Sequence, residues 1–407
     1  MSMVEPSVSA EEPVFTGFLP DSRMGARAST PIIAEHGYLT PQGEWGDVER
    51  GNPLPYTLPP EIRRQVGLER DTWRLEIVAD PETDAEIDAP QSIDFDTLVD
   101  IGRHHGVRLL KGITCNNIGE PLGMGLWEGV PLRVLVWMAR PVRNIRRVFY
   151  YGYHSDDPRQ MFQSSLPFGR VLEEPPGELP VLVAYKLNGE FLTGKRGGPV
   201  RMLVPEAYGF KSVKWLQRVI LTNKYAANDT YHEGNNDLDS PMKTFARFSH
   251  VPASERGSVT MSGLEVDPRS PCTAAADTVF SVSGIAQVGV SGLARVEWWL
   301  RASGETDWDA TTDPYCERGD WQTAEILGPP SEREAMDLSV RVQREEWPLR
   351  YTFAYWRATL PPLAAGEYEL RCRSVDLNGN AQPMPRPFAK SGRADIQRVL
   401  LRVQPSA

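Results

Sequence analysis

The stretch Lys111-Gly-Ile-Thr-Cys115-Asn-Asn-Ile-Gly-Glu-Pro-Leu-Gly-Met-Gly-Leu-Trp127-Glu-Gly-Val-Pro-Leu132 decides how this chain is read. Its first residues read as the end of a buried strand. Cys115 then opens a Gly- and Asn-rich loop, where a thiolate can face a cleft rather than a core, and such residues let backbone approach a ligand closely. Beyond it, Trp127-Glu-Gly-Val-Pro-Leu132 turns into an apolar helix. From Val107 to Val219 strand-like runs alternate with Gly/Pro turns. Examples are Arg147-Val-Phe-Tyr-Tyr151, Leu179-Pro-Val-Leu-Val-Ala184 and Val200-Arg-Met-Leu-Val204. That texture predicts a mixed α+β domain.

Working outward, residues 1–45 are rich in Pro, Ser, Glu and Gly and read as an extended N-terminal segment. Trp73-Arg-Leu-Glu-Ile-Val78 alternates like a strand, and the acidic run Asp80–Asp88 reads as a solvated loop. Ser92 is the expected N-cap of a short helix. Residues 46–255 are assigned to the α+β domain, with a polar, irregular stretch from Lys224 to Glu255. After Arg256 the texture becomes all-β, with short alternating runs such as Val279–Ser283, Val296–Leu300, Tyr351–Tyr355 and Tyr368–Val375. Residues 256–407 are therefore expected to form an immunoglobulin-like sandwich.

Bulk composition narrows the function classes. A chain of 407 residues can hold two or three domains. A formal charge of −10 argues against nucleic acid or an anionic membrane as partner, since both need a basic surface. The N-terminus has no basic-apolar leader and no twin-Arg pair, and no stretch approaches the roughly 18 apolar residues of a membrane span. A cytoplasmic location is the resulting expectation, or a periplasmic one if a leader has been trimmed. The cysteines Cys115, Cys272, Cys316 and Cys372 show neither CxxC nor CxxCH spacing, so buried thiols are expected, with one oxidised pair among the last three left open. His104 and His105 are adjacent on a predicted helix and diverge by about 100°, which points to the surface rather than joint metal ligation.

Several segments in order resemble the sulfite oxidase family. They are the Cys115 loop, Val183-Ala-Tyr-Lys-Leu-Asn-Gly189, Gly198-Pro-Val-Arg-Met-Leu-Val-Pro205 and Lys211-Ser-Val-Lys-Trp-Leu-Gln-Arg-Val219. The resemblance covers roughly 37–403 and is strongest over 112–219. It implies an α+β fold: a mixed α/β sulfite-oxidase-type molybdopterin domain followed by an all-β immunoglobulin-like domain that mediates homodimerisation. It also implies a mononuclear molybdenum held by molybdopterin, with Cys115 as its protein ligand. A thiolate is a soft donor suited to that metal. Arg201, Lys211 and Lys214 would line the anchor of the pterin phosphate, which needs cations and backbone donors.

Further assignments follow from the same resemblance. Leu39-Thr-Pro41 with Val48-Glu-Arg-Gly-Asn52 faintly matches a cofactor loop, placing Arg50 and Asn52 near cofactor or substrate. Trp127 would wall the substrate pocket or serve as a core anchor. His154 is either a pterin contact or part of a surface turn, and Ser165 either bonds the cofactor or satisfies a turn. Tyr231 is the candidate for orienting the reactive oxygen, with Tyr225, Asn235 and Asn236 as rivals and His232 joining the same edge.

One departure bears on substrate. Ile118, Gly119 and Glu120 stand where sulfite oxidases carry arginines for the substrate oxyanion, and losing that fork weakens sulfite binding. The expected activity is oxygen-atom transfer, sulfite to sulfate first, with an external acceptor such as a cytochrome or dioxygen. The same cofactor acting on an S-oxide or N-oxide is the alternative, and a non-catalytic scaffold is the reading from a different class.

Overall fold

The computed structural model describes residues 38–48, 51, 53–116, 121–155, 162–175, 177–230, 237–239, 241–251, 272–277, 279–303, 317–339, 346–383, 390–392 and 394–405. Among the described residues its N-terminal half holds four α-helices: α1 (Pro60–Gln65), α2 (Phe95–His105), α3 (Leu132–Met138) and α4 (Phe168–Leu172). Its first strands are β1 (Arg74–Ala79), β2 (Glu86–Ile87), β3 (Gln91–Asp94), β4 (Val107–Thr114), β5 (Pro121–Pro131) and β6 (Pro141–Arg143). They continue through β7 (Arg147–Gly152), β8 (Phe162–Pro167), β9 (Leu182–Leu187), β10 (Glu190–Phe191), β11 (Arg201–Leu203) and β12 (Leu216–Thr222).

One sheet runs β3-β1-β12-β7-β8, and a second runs β10-β9-β5-β4 with β11 also on β9. β2 and β6 pair separately. Only β1 and β12 are parallel in the first sheet, as their register Glu76 to Arg218 shows. The main core lies between these sheets and the helices, with Leu75 and Ile77 of β1, Leu135 of α3, Tyr150 of β7, Val183 of β9 and Val219 of β12 fully or nearly fully buried.

The period of two along β4 sorts its side chains onto two faces. Val107, Leu109 and Ile113 pack with Trp45 and Trp127, whereas Leu110 packs with Met124, Ile285 and Phe353 of the following domain. Gly123, Gly125 and Gly129 belong to strand rather than loop. β5 already begins at Pro121 and pairs with β4 as far as Gly129 opposite Val107. Gly123 and Gly125 leave a groove that the Trp45 indole fills: a Cβ at Gly123 would lie 2.4 Å from that ring. Ser92 is not the helix cap either. It pairs with Glu76 inside β3, and Asp94 caps α2 by accepting the Thr97 N–H at 2.8 Å.

The second half is all-β: β13 (Phe245–His250), β14 (Cys272–Ala275), β15 (Phe280–Gln287), β16 (Arg295–Ala302), β17 (Gln322–Ile326), β18 (Phe353–Leu360), β19 (Gly366–Val375) and β20 (Gln397–Gln404). Pairing runs β13-β15-β18-β17-β16-β19-β20-β14. β17 belongs to both faces, pairing β16 through Gln322–Ala324 and β18 through Glu325 and Ile326. The two halves of the strand order thus close over one core, in which Phe248, Val282 and Trp356 meet Val296, Leu370 and Val399. The stretch expected to be irregular after Lys224 therefore already contains the first strand of this unit, because Phe245–Phe248 pair with Gln287–Gly284 of β15. Cys372 and Cys115 are not in a disulfide. The Cys272 side chain and Cys316 lie outside the described residues.

The two units are joined through β4 and Glu178. Gly112 N–H donates to Tyr351 O at 2.8 Å, Tyr351 Oη donates to Glu178 Oε2 at 2.6 Å, and Arg108 pairs with Asp337 at 2.8 Å. A Cβ at Gly112 would sit 2.4 Å from the buried Phe353 ring. Gly112→Ala should therefore lower stability by about 1–3 kcal/mol through overpacking, read as a lower urea midpoint. An unchanged midpoint would mean that this contact between the units yields freely.

Candidate active site

Cys115 lies at the end of β4 and is 6% exposed. It lines a cleft of about 680 Å³, open mouth included, together with Trp45, Asp47, Ile113, Phe162, Arg196, Arg201, Phe210, Lys214 and Trp215. The walls are aromatic and apolar near Cys115, while the polar wall carries three cations and one carboxylate. Asp47 accepts from Lys214 Nζ at 2.8 Å and faces Arg196 Nη2 at 3.6 Å. Arg201, at the start of β11, donates to the Arg196 carbonyl at 3.0 Å and to the Ser212 carbonyl at 2.7 Å. Its guanidinium also lies 5.2 Å from the Trp127 ring centroid.

Burying three cations around one carboxylate costs solvation that Asp47 alone cannot return. Burial, reinforced by the Arg196 charge and opposed by Asp47, pulls Arg201 down to about 9. Burial also pulls Lys214 down to about 8, with Asp47 opposing and the two arginines reinforcing. Lys214 keeps 17% of its side-chain surface in contact with solvent, which blunts the effect. Arg196 is lowered by burial as well. Arg196 Nε and Nη2 and Arg201 Nε are buried without a hydrogen-bond acceptor. Buried donors without acceptors, on cations that outnumber their counter-charge, form a site shaped for an anion.

Three residues expected near the cofactor or the substrate do not line this cleft. Lys211 does not reach this cleft: its Nζ donates to Asp229 Oδ1 at 2.7 Å and to the Ser165 carbonyl at 2.9 Å. Ser165 belongs to the same buried network, its Oγ donating to Asp229 Oδ2 at 3.0 Å and accepting from Arg147 at 3.1 Å. Both side chains sit behind the wall formed by Gly209, Phe210 and Ser212. Trp127 is a core anchor rather than a wall. It is fully buried, donates to the Lys111 carbonyl at 3.0 Å, and stands edge-on to Trp45 at 5.5 Å, and Trp45 is the ring that lines the cleft. His154 is one layer back, its ring edge-on to Phe162 at 6.5 Å. Arg50, Asn52 and Tyr231 lie outside the described residues, as do Ile118, Gly119 and Glu120.

Sequence reasoning missed Asp47 and Arg196. A signal for Arg196 exists in Gly194-Lys-Arg-Gly-Gly-Pro199, where a basic pair is enclosed by glycines. Gly197 has φ +93°, and a Cβ there would lie 2.7 Å from Lys214 Cβ. Among the described residues no group of three or more His, Cys, Asp or Glu side chains is placed to hold a metal by itself. Among them too, no helix is long and apolar enough to cross a membrane.

Residues 63–230 match the family model described as the oxidoreductase molybdopterin binding domain. Sulfite oxidase from Gallus gallus is 27% identical over 283 residues, 68% of this chain and 53% of its own length. Residues 63–230 are thus an oxidoreductase molybdopterin binding domain. A nitrate reductase [NADPH] from Beauveria bassiana is 34% identical over 126 residues, 31% of this chain and 13% of its own length. The chain thus spans about half or less of these two relatives. The sulfane dehydrogenase SoxCD from Paracoccus pantotrophus has a similar fold, with a TM-score of 0.57 at 18% identity over 100% of both chains. The family's cofactor is molybdenum with molybdopterin. The cleft fits it chemically: Cys115 offers one soft donor, and the acceptor-less guanidinium nitrogens suit a phosphate.

The cation cluster has a measurable signature in the cofactor-free protein. Lys214 titrates near 8 in the fold against 10.5 unfolded. The unfolded chain therefore binds more protons across that window, and stability rises with pH from about 8 to 10.5. Lys214→Met should melt above the wild type at pH 7, and the gap should shrink across that window. A gap independent of pH would contradict this electrostatic account.

Proposed function

We propose that this chain is a molybdenum oxidoreductase that transfers an oxygen atom between water and a small sulfur or nitrogen oxide. The observation that carries the proposal is the shared cleft of Cys115, three cations and a single carboxylate. In this reading the Cys115 thiolate ligates the metal, while Arg196, Arg201 and Lys214 hold the pterin phosphate. When bound, the cofactor supplies two-electron redox chemistry coupled to oxygen-atom transfer. Trp45, Phe162 and Phe210 keep bulk water from the inner wall, which strengthens the electrostatic contacts there.

Sulfite is the first substrate. It gains one oxygen atom from water to give sulfate, releasing two protons and two electrons to an external cytochrome or dioxygen. Charge counting among the described residues favours a second substrate class. Three cations less one carboxylate leave two positive charges on the wall. A phosphate monoester carries about −1.5 to −2 at neutral pH and would consume that excess. Little of it is then left for an anionic substrate, and Ile118, Gly119 and Glu120 bring no cation. A neutral S-oxide or N-oxide, reduced in the reverse direction, needs none. The all-β unit is proposed to support a homodimer, as the family resemblance implies.

A steady-state panel separates these outcomes. Sulfite-dependent reduction of ferricytochrome c or ferricyanide, abolished in Cys115→Ser, supports the first. Oxidation of reduced viologen by sulfoxides or amine oxides, with slow sulfite turnover, supports the second. Metal-loaded protein inactive in both directions would rule out oxygen-atom transfer on these substrates.

A further inference from the structure

The residue after the cysteine is held by the other domain. Asn116 is 4% exposed, and its Nδ2 donates to the Lys390 carbonyl at 2.9 Å. Its own carbonyl accepts the Gly392 N–H at 2.8 Å. The Cys115 thiol points at Asn116 Oδ1, 3.9 Å away. The same short segment gathers two further stretches of the chain. Lys390 O also accepts the Asp237 N–H at 3.0 Å, immediately after residues 231–236. Lys243 Nζ donates to the carbonyl of Ser391, which is fully buried. Gly392 has φ +82°, and a Cβ there would lie 1.9 Å from Tyr208 Oη, next to Gly209 and Phe210 of the cleft wall.

We infer that the segment 390–392 of the all-β unit completes the metal site, with Asn116 as a positioning residue that fixes the direction of Cys115 Sγ. Two hydrogen bonds to one residue, donated in opposite senses, set both its backbone and its side chain. Cys115 has one freely rotating bond between its backbone and its sulfur, so fixing its neighbour narrows the arc the sulfur can occupy. The contact joins residues 274 positions apart in sequence, so only the folded pair of units can make it. The all-β unit is on this account part of the active site as well as a platform beside it.

This inference rests on reading Cys115 as the metal ligand, and the test separates the two. Holo-protein is prepared as wild type, Asn116→Asp and Lys243→Met, and molybdenum and pterin are counted first. Asn116→Asp keeps the side-chain shape but replaces the amide donor with a carboxylate facing the Lys390 carbonyl. Lys243→Met removes the donor to the Ser391 carbonyl and so loosens the same segment without touching Asn116. The Mo(V) electron paramagnetic resonance spectrum is then recorded after dithionite poising, which needs no substrate.

At metal content within about twofold of wild type, both variants should give shifted or split g-values. Wild-type spectra from both would overturn the inference. If Asn116→Asp fails to fold or load, Lys243→Met alone decides by the same criterion. If wild type carries no molybdenum, the ligand reading fails, and amide hydrogen exchange on the metal-free chain still decides the clamp. Protection of a peptide spanning 390–392 should then fall at least tenfold in Asn116→Asp, and unchanged protection would overturn it.

Discussion

Among the described residues, three cations of the cleft share one carboxylate, and on that constraint the rest of this molecule depends. Arg196, Arg201 and Lys214 cannot be held together by Asp47 alone, and two of them keep buried nitrogens without acceptors. A fold tolerates such a cluster when surrounding structure over-determines it and a ligand relieves it. The over-determination is visible. β11 seats Arg201 against two backbone carbonyls, the glycine turn at 194–198 brings Arg196 and the Lys195 carbonyl to Lys214, and Trp127 lies under the Arg201 guanidinium. Low charged-state stability in the cofactor-free cleft and affinity for an anion are two faces of the same electrostatics.

β4 transmits this arrangement to the second unit. One face of the strand builds the wall that ends in Cys115, and the other receives Phe353 and Ile285. Because a strand has no interior to absorb displacement, a shift on one face moves the other. Tyr351 and Glu178, with Arg350 alongside, add a polar tie between the units. Buried Lys211, Asp229, Ser164 and Ser165 play the corresponding part on the other side, anchoring the chain just before residues 231–236.

Much of this was legible in sequence, and the misses share a cause. Cys115 could be read because its segment stands in order with the others that carry the family resemblance; by itself a buried, inert cysteine is the default. Arg201 stood out as a charge inside an apolar strand, and Lys214 as one beside Trp215. Lys211 was read toward the cofactor, and Ser165 and Trp127 toward cofactor or substrate as one of two readings each, because they share motifs with residues that do line the cleft. A motif gives spacing, but the side of the backbone is settled by packing: Phe210 and Ser212 line the wall while Lys211 between them turns away to Asp229. Asp47 was invisible because a lone aspartate in a Gly-rich stretch is ordinarily solvent-facing. β5 was hidden by its glycines, which weaken any strand signal and here exist to admit Trp45.

The most direct test of the account is the molybdenum and pterin content per chain, by elemental mass spectrometry and pterin fluorescence, in wild type and Cys115→Ser from a host able to make the cofactor. The account predicts near-stoichiometric metal and pterin in the wild type. In Cys115→Ser the pterin should persist, held by its phosphate, with less metal. Wild-type protein without pterin would contradict it, because the three cations would then have no anion to serve.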